Sequence, residues 1–196
     1  MKAKFFIIIG VLALIVFYGV SVNNSLVTAE ENVNGAWAQV ENQYQRRADL
    51  IPNLVNTVQG AADFESQTLQ DVIEARSRAT SVNIDANDLN DPQAFQQFQE
   101  AQGQLSGALS RLLVTVERYP ELQANQNFRD LQAQLEGTEN RISTERMRFN
   151  QAAQGFNTQI RRFPTSMFAS VLGFEQKAYF EADEGAEQAP EVDFSN

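Results

Sequence analysis

The amino-acid sequence predicts an all-α protein, in which a single N-terminal transmembrane helix is followed by a long antiparallel four-helix (up-and-down-like) bundle. An apolar run near the start predicts the first part. Apolar residues spaced three and four apart, with no sustained alternation of the kind strands show, predict the second. The predicted parts are a cytoplasmic N-terminus at 1–4, a transmembrane anchor at 5–22, a helical bundle at 26–180 and an acidic disordered tail at 181–196.

The predicted anchor lies in MKAKFFIIIGVLALIVFYGVSV, where the apolar run extends from Phe5 to Val22. A helix of that length spans about 27 Å, which is close to the thickness of a bilayer core. A cleavable signal peptide usually has a shorter apolar region, so the length favours an uncleaved anchor. The small residues at 27–29 resemble a cleavage site and leave removal of residues 1–29 open.

Charge on either side of the apolar run predicts the orientation. Lys2 and Lys4 precede the run, and Glu30 and Glu31 follow it. Because positive flanks stay in the cytoplasm, we expect a single-pass protein of the inner (cell) membrane with its bundle on the periplasmic or extracytoplasmic side. Two lysines are a modest bias, so the inverted orientation stays open.

The apolar residues of the bundle form a seam with alternating intervals of three and four, which keeps one stripe of each helix facing a partner. On the first soluble segment the seam comprises Val33, Trp37, Val40, Tyr44, Arg47, Ile51, Leu54 and Val58. On the third it comprises Phe95, Phe98, Gln102, Leu105, Leu109, Leu112, Val116 and Tyr119. On the last it comprises Phe128, Leu131, Leu135, Thr138, Ile142, Glu145, Phe149, Ala152, Phe156, Ile160 and Phe163.

Pro52 falls inside the seam without shifting it. Because proline lacks a backbone donor and clashes with the preceding turn, it either kinks a helix or begins a new one, which Asp49 could cap. Asp91-Pro92 is a helix start, and the apolar element TSMFASVLGF after Pro164 is expected to pack back on the bundle. A break at Pro52 gives helices at about 26–50, 52–80, 92–118 and 121–163, and one kinked helix over 26–80 fits equally.

The composition disfavours most enzymes and a nucleic-acid partner. The chain has no histidine and no cysteine, which excludes a Ser-His-Asp triad, thiol nucleophiles and thiolate or imidazole metal sites. Beyond residue 29 it holds 13 basic against 25 acidic residues, a poor match for phosphates. We therefore expect no enzymatic activity, no catalytic, cofactor-binding or metal site, no cofactor and no nucleic acid, with a hydrolase disfavoured.

Polar residues on the seam are the remaining candidates. They are Arg47, Gln102, Thr138 and Glu145, with Glu65 near the same face. Such residues most often fix register and helix pairing. We therefore predict that Arg47 pairs with a bundle carboxylate, with Glu145 or Glu65 favoured.

Two sharper interpretations compete with this one. A carboxylate cluster for a metal or for acid-base chemistry would use Glu65, Glu136, Glu139 and Glu145, and would need four or more oxygens to converge. Trp37 is read as a core anchor, with an aromatic cage for a ligand as the alternative. Two charged stretches, Glu139-Asn140-Arg141 and Arg161-Arg162, are interpreted as exposed charge with some pairing between helices.

Three stretches resemble a known family. They are AWAQVENQYQRRADLIPNLVNTVQG at 36–60, RYPELQANQNFRDLQAQLEGTENRI at 118–142 and FNTQIRRFPTSMFASVLGFEQKAYFEA at 156–182. In this order they are similar to the LemA family of bacterial proteins over nearly the whole chain. The resemblance implies one N-terminal membrane helix, an antiparallel helical bundle, and no established activity, cofactor or catalytic residue. One relative takes part in building magnetosome membranes, and others are encoded near membrane proteases.

The combined reading is a non-enzymatic, membrane-anchored scaffold or organising protein of the bacterial envelope, which self-associates through its bundle into a homo-oligomer. An anchor concentrates copies in two dimensions, so weak bundle contacts become significant. The alternative is an accessory or regulatory subunit that presents its outer face to a membrane protease or transporter. In either case the partners are the membrane and an envelope or membrane protein.

Overall fold

The structure, a computed structural model, describes residues 2–60, 64–86 and 88–181, with side chains from residue 4 onward. Within these residues every regular element is helical, which confirms the all-α prediction for this part of the chain. The helices are α1 (Lys2–Gln59), α2 (Ser66–Ser81), a 3-10 turn (Asp88–Asn90), α3 (Pro92–Val116), α4 (Pro120–Ala124), α5 (Gln126–Arg161) and α6 (Thr165–Leu172). Apart from Glu181, the predicted acidic tail lies outside the described residues.

Helix α1 runs unbroken through Pro52, and the chain turns instead at Gly60. The predicted break at Pro52 is therefore wrong, and so is the single helix over 26–80. Proline has no N–H for the carbonyl four residues earlier, which belongs to Ala48. That carbonyl accepts a hydrogen bond from Nε of Arg76 on α2, at 2.8 Å. The helix continues because a side chain from its neighbour replaces the missing donor.

Side-chain caps set two other helix starts. The Asp91 carboxylate accepts from the backbone N–H of Gln93 at 2.8 Å and of Ala94 at 3.3 Å, so α3 begins where predicted. Asn125 ends α4 and caps α5 in the same way. The predicted single helix at 121–163 is therefore divided into two.

The tertiary contacts pair α1 with α5 and α2 with α3. The first pair is antiparallel, because Arg47 of α1 meets Glu139 of α5 while the earlier Trp37 meets the later Phe149. Helix α3 begins beside Trp37, so the N-terminal part of α1 lies beyond it. The antiparallel four-helix bundle as a whole stays a prediction.

Two hydrophobic cores lie along the length of α1. The aromatic core comprises Trp37, Tyr44, Phe95, Phe98, Phe149, Phe156 and Phe180, with Val22, Leu26, Val33, Val40, Ile142 and Ile160. The aliphatic core comprises Ile51, Leu54, Val55, Val58, Leu69, Val72, Leu105, Leu109, Leu112, Val116, Leu122, Phe128 and Leu135. The aromatic core lies toward the apolar N-terminal end of α1, and the aliphatic core lies toward Gly60.

Helix α6 packs back on α1 and α5, as the sequence predicts. The ring of Phe168 lies against Tyr18 with centroids 5.6 Å apart, and it occupies the space that a side chain at Gly19 would need. The chain then turns through Gly173, whose φ of 81° suits glycine. Residues 174–181 run extended from there, and we call them the C-terminal strap.

Candidate functional site: a buried polar layer

Arg47 lies on the seam of α1 with only 1% of its surface exposed. One terminal nitrogen of its guanidinium donates to Ser106 Oγ at 2.7 Å and to Glu139 Oε2 at 2.9 Å. The other donates to Gln102 Oε1 at 2.6 Å and to the Gln102 carbonyl at 3.3 Å. The predicted place of Arg47 inside the helix seam is confirmed, and its charge meets one carboxylate and several neutral acceptors.

These groups link four helices. Gln102 donates from Nε2 to the carbonyl of Ala79 on α2 at 3.1 Å, and Ser106 Oγ lies 3.3 Å from Glu139 Oε1. We call Arg47, Gln102, Ser106 and Glu139 the polar layer. It joins α1 and α5 to α3 directly, and to α2 through Gln102.

The polar layer lies at the boundary between the two cores. On α1 the seam passes from Tyr44 in the aromatic core, through Arg47, to Ile51 in the aliphatic core. The same change occurs around Gln102 on α3 and around Glu139 on α5. Sliding α1 by one turn, about 5.4 Å, would move the guanidinium against apolar side chains and leave a buried charge without its partners. The layer therefore fixes the register of α1.

Arg47 pairs with a bundle carboxylate as predicted, but the two favoured partners are wrong. Glu145 pairs within its own helix, and Glu65 pairs with Arg118 near the end of α3 at 3.1 Å. The partner is Glu139, which follows a seam position by one residue and keeps 52% of its side chain exposed. A carboxylate at the edge of the seam reaches the guanidinium while one side of it stays hydrated, so only the arginine bears the full cost of burial.

The other candidates do not form a metal centre. Thr138 is buried and donates to the carbonyl of Gln134 in its own helix. Glu136 is exposed and accepts from Gln132. Across residues 2–60, 64–86 and 88–181, no three acidic side chains converge as a cation would need. The four carboxylates of that interpretation are therefore not brought together.

The space beside the polar layer is small. A cavity of about 80 Å³ lies between α1, α2 and α3, against Tyr44 and Gln102. Sites for small organic molecules usually measure roughly 300–1,000 Å³. Both terminal nitrogens of the Arg47 guanidinium already donate to protein acceptors. The arrangement is suited to holding helices together.

Trp37 is confirmed as an anchor of the core, with 3% of its surface exposed. Its Nε1 donates to the carbonyl of Ile84 at 3.2 Å, which satisfies its one polar group. Four phenylalanine rings converge on Trp37 as those of an aromatic cage would, but the rings themselves fill the space inside the core. Their centroids lie 5.8 Å (Phe95), 5.4 Å (Phe98), 5.4 Å (Phe149) and 6.0 Å (Phe180) from that of Trp37.

The C-terminal strap is held by amide side chains, a feature that sequence reasoning missed. Asn157 donates to the Lys177 carbonyl and accepts from the Lys177 N–H, both at 2.8 Å. Asn150 does the same for Phe180, both at 2.9 Å. The available signal was two asparagines seven residues apart on α5, which lie on one face of a helix.

Further contacts tie the strap to other elements. The Lys177 side chain is 6% exposed, and its ammonium nitrogen lies 2.8 Å from a carboxylate oxygen of Glu30 on α1. The N–H of Ala178 donates to the carbonyl of Leu89 in the turn before α3, at 2.8 Å. The strap thus closes one side of the aromatic core, where α2 does not reach.

These features define a class of elongated, all-helical protein. Its one long helix is apolar and exposed at one end, and at the other end it packs into the aromatic and aliphatic cores. Within the described residues, α1 is the one helix long and apolar enough to cross a bilayer. The family model for the LemA family matches residues 36–194, and the chain belongs to that family.

Similar proteins share most of the chain at low identity. Magnetosome protein MamQ 2 of Paramagnetospirillum magneticum is 25% identical over 192 residues, covering 89% of this chain and 71% of its own. Protein LemA of Metamycoplasma hominis is 24% identical over 182 residues, covering 92% and 79%. Magnetosome protein MamQ of Magnetospirillum gryphiswaldense is 26% identical over 173 residues, covering 80% and 64%.

Proposed function

We propose that this protein is a non-enzymatic, membrane-anchored scaffold of the bacterial envelope, with residues 5–22 in the membrane and the bundle outside the cytoplasm. The observation that carries the proposal is the continuity of α1. Residues 4–18 are exposed and almost wholly apolar, whereas Val22 and Leu26 in the same helix are already buried by other elements. No linker separates the span from the core, so the packed part would be fixed rigidly to the membrane.

The geometry supports a spacer or organising role. Residues 23–59 of α1 extend about 55 Å at the ordinary helical rise. Helix α5 returns along α1, and Phe168 of α6 contacts Tyr18, so other elements brace α1 as far as the end of the predicted span. We take the two helix pairs to form one antiparallel four-helix bundle away from the membrane. Such a body presents helix faces at a defined height above the lipid.

The relatives add a second line of support. Two of them are named magnetosome proteins, which favours a part in an assembled cellular structure for this chain as well. Copies held in one membrane meet at a high effective concentration, so contacts too weak for dilute solution can still assemble them. The polar layer and the small cavity beside it support a holding role over a reacting one.

Sizing of the detergent-solubilised full chain by native mass spectrometry tests the proposal. We expect a homo-oligomer of defined size. A monomer that co-purifies with one membrane protease or transporter would overturn scaffolding in favour of the accessory role.

Topology is tested separately with reporters fused to the C-terminus. Alkaline phosphatase, which folds outside the cytoplasm, should be active, and a reporter that works only in the cytoplasm should be silent. The reverse pattern would place the bundle inside the cell.

A further inference from the structure

Helix α6 carries an apolar face that no part of the described chain covers. Met167 and Val171 are four residues apart and share one side of the helix, with 63% and 87% of their surface exposed. Phe163, just before the helix, is 81% exposed. The opposite side of α6 is packed, with Ala169 only 2% exposed. A surface helix usually presents its polar side to solvent, whereas the outer side of α6 is apolar.

Helix α6 lies beside the end of the predicted span. Its Phe168 ring contacts Tyr18, and a Cβ atom added at Gly19 would lie only 3.0 Å from the same ring. Both residues belong to the last turns of the predicted span at 5–22, where Phe17 and Val20 are themselves 77% and 56% exposed. With residues 5–22 in the membrane, α6 lies at the level of the membrane boundary, beside the exposed apolar end of the span.

We propose that α6 is an interfacial helix, which lies on the bilayer and inserts Met167, Val171 and Phe163 among the lipid head groups and upper acyl chains. This rests on the proposed function, because it requires residues 5–22 to span the membrane. Apolar side chains at this depth gain from leaving water, and aromatic residues such as Tyr18 are typical of it.

Charge at the same place supports a lipid surface. Arg161 and Arg162 end α5 immediately before Phe163, both are exposed, and neither has an ion pair within the described residues. They stand out in a chain with a net charge of −10. Exposed arginines near a membrane are attracted to anionic phosphates. With α6 attached, the protein would contact the membrane at two places, the span and α6. Two such contacts would set the tilt of the bundle relative to the bilayer.

The test uses nitroxide labels on single cysteines in the full chain, which has no cysteine of its own. The site variants are Met167→Cys and Val171→Cys. Matched controls are Met147→Cys and Val114→Cys, which replace the same residue types at positions 56% and 65% exposed on α5 and α3. Leu12→Cys reports on the span itself. Each variant is reconstituted into vesicles of phosphatidylcholine and phosphatidylglycerol, with circular dichroism as the check on folding.

Collisions with oxygen, which concentrates in lipid, are compared with collisions with a water-soluble nickel chelate. We expect the oxygen-to-nickel ratio at positions 167 and 171 to exceed that at 147 and 114 several-fold, while position 12 has the highest ratio. Equal ratios at 171 and 114, with position 12 deep in lipid, would overturn the interfacial helix and leave the anchor intact. Low collision with both agents at 171 would also overturn it, because a second copy would then cover the face. A water-exposed label at 12 would remove the anchor and the inference together.

Discussion

The aromatic and aliphatic cores bury similar seams but close them in different ways. The aliphatic core is enclosed by helices, with α2, α3 and α4 packed along the last turns of α1 and the first turns of α5. The aromatic core is filled by large rings and closed by the extended strap, whose Phe180 enters the cluster around Trp37. Where the neighbouring helices are long enough to enclose the core, branched aliphatic side chains fill it. Where α2 ends, rings and a strap take its place.

Truncating the central ring is expected to have the largest effect. Trp37→Ala removes the residue that four phenylalanines contact, so it should lower the free energy of unfolding by about 3–5 kcal/mol. Leu112→Ala, at a buried position of the aliphatic core, should cost less. Urea unfolding of the detergent-solubilised chain, followed by far-UV circular dichroism, measures both. A smaller loss for Trp37→Ala than for Leu112→Ala would break the distinction between the cores.

Loosening the strap should affect the aromatic core alone. Asn157→Ala removes hydrogen bonds to both backbone groups of Lys177 and to the Tyr179 hydroxyl. We expect a loss of about 1–3 kcal/mol and faster hydrogen exchange at the Lys177 and Ala178 amides. Gln151→Ala, exposed on the same helix, is the control and should change stability by less than about 0.5 kcal/mol. Faster exchange throughout α2 would show that the cores do not behave separately.

Removing Arg76, whose Nε replaces the missing N–H of Pro52, should have a smaller effect. This hydrogen bond lies next to the aliphatic core. Arg76→Met leaves the Ala48 carbonyl without its partner and should cost about 1 kcal/mol. In a Pro52→Ala background the new backbone N–H can bond to that carbonyl, so the same change should cost almost nothing. Arg78→Met is the control on α2. Equal costs in both backgrounds would contradict the role given to Arg76.

The sequence predicted the seam well, because burial at intervals of three and four depends only on local helix geometry. Val33 through Val58 on α1 and Phe95 through Val116 on α3 are buried at every seam position named. Four other seam positions are half-buried: Tyr119, Leu131, Glu145 and Ala152. Phe163 is exposed, because α5 ends before it and the residue faces outward.

Three features depend on distant residues and could not be read from local spacing. Pro52 is tolerated because a donor arrives from Arg76 on another helix. The partner of Arg47 depends on how α5 lies against α1. Spacing along the chain does not give this register, so it could not distinguish Glu139 from other carboxylates. The strap has no periodicity, since amide side chains hold its backbone in an extended form.

Arg47 and Glu139 form the ion pair within the polar layer between the cores. A double-mutant cycle on these two residues measures most directly whether they stabilise the fold as a unit. Glu139→Gln leaves a buried guanidinium with neutral acceptors only, and because Glu139 is half-exposed we expect a loss of about 1 kcal/mol. Arg47→Met removes the same ion pair and also leaves the buried side-chain oxygen of Gln102 without its donor, so it should cost more than Glu139→Gln. Because the double variant loses the ion pair only once, its loss should be smaller than the sum of the two single losses. If the two losses simply add, the pair does not act as a unit and the account of the layer is contradicted.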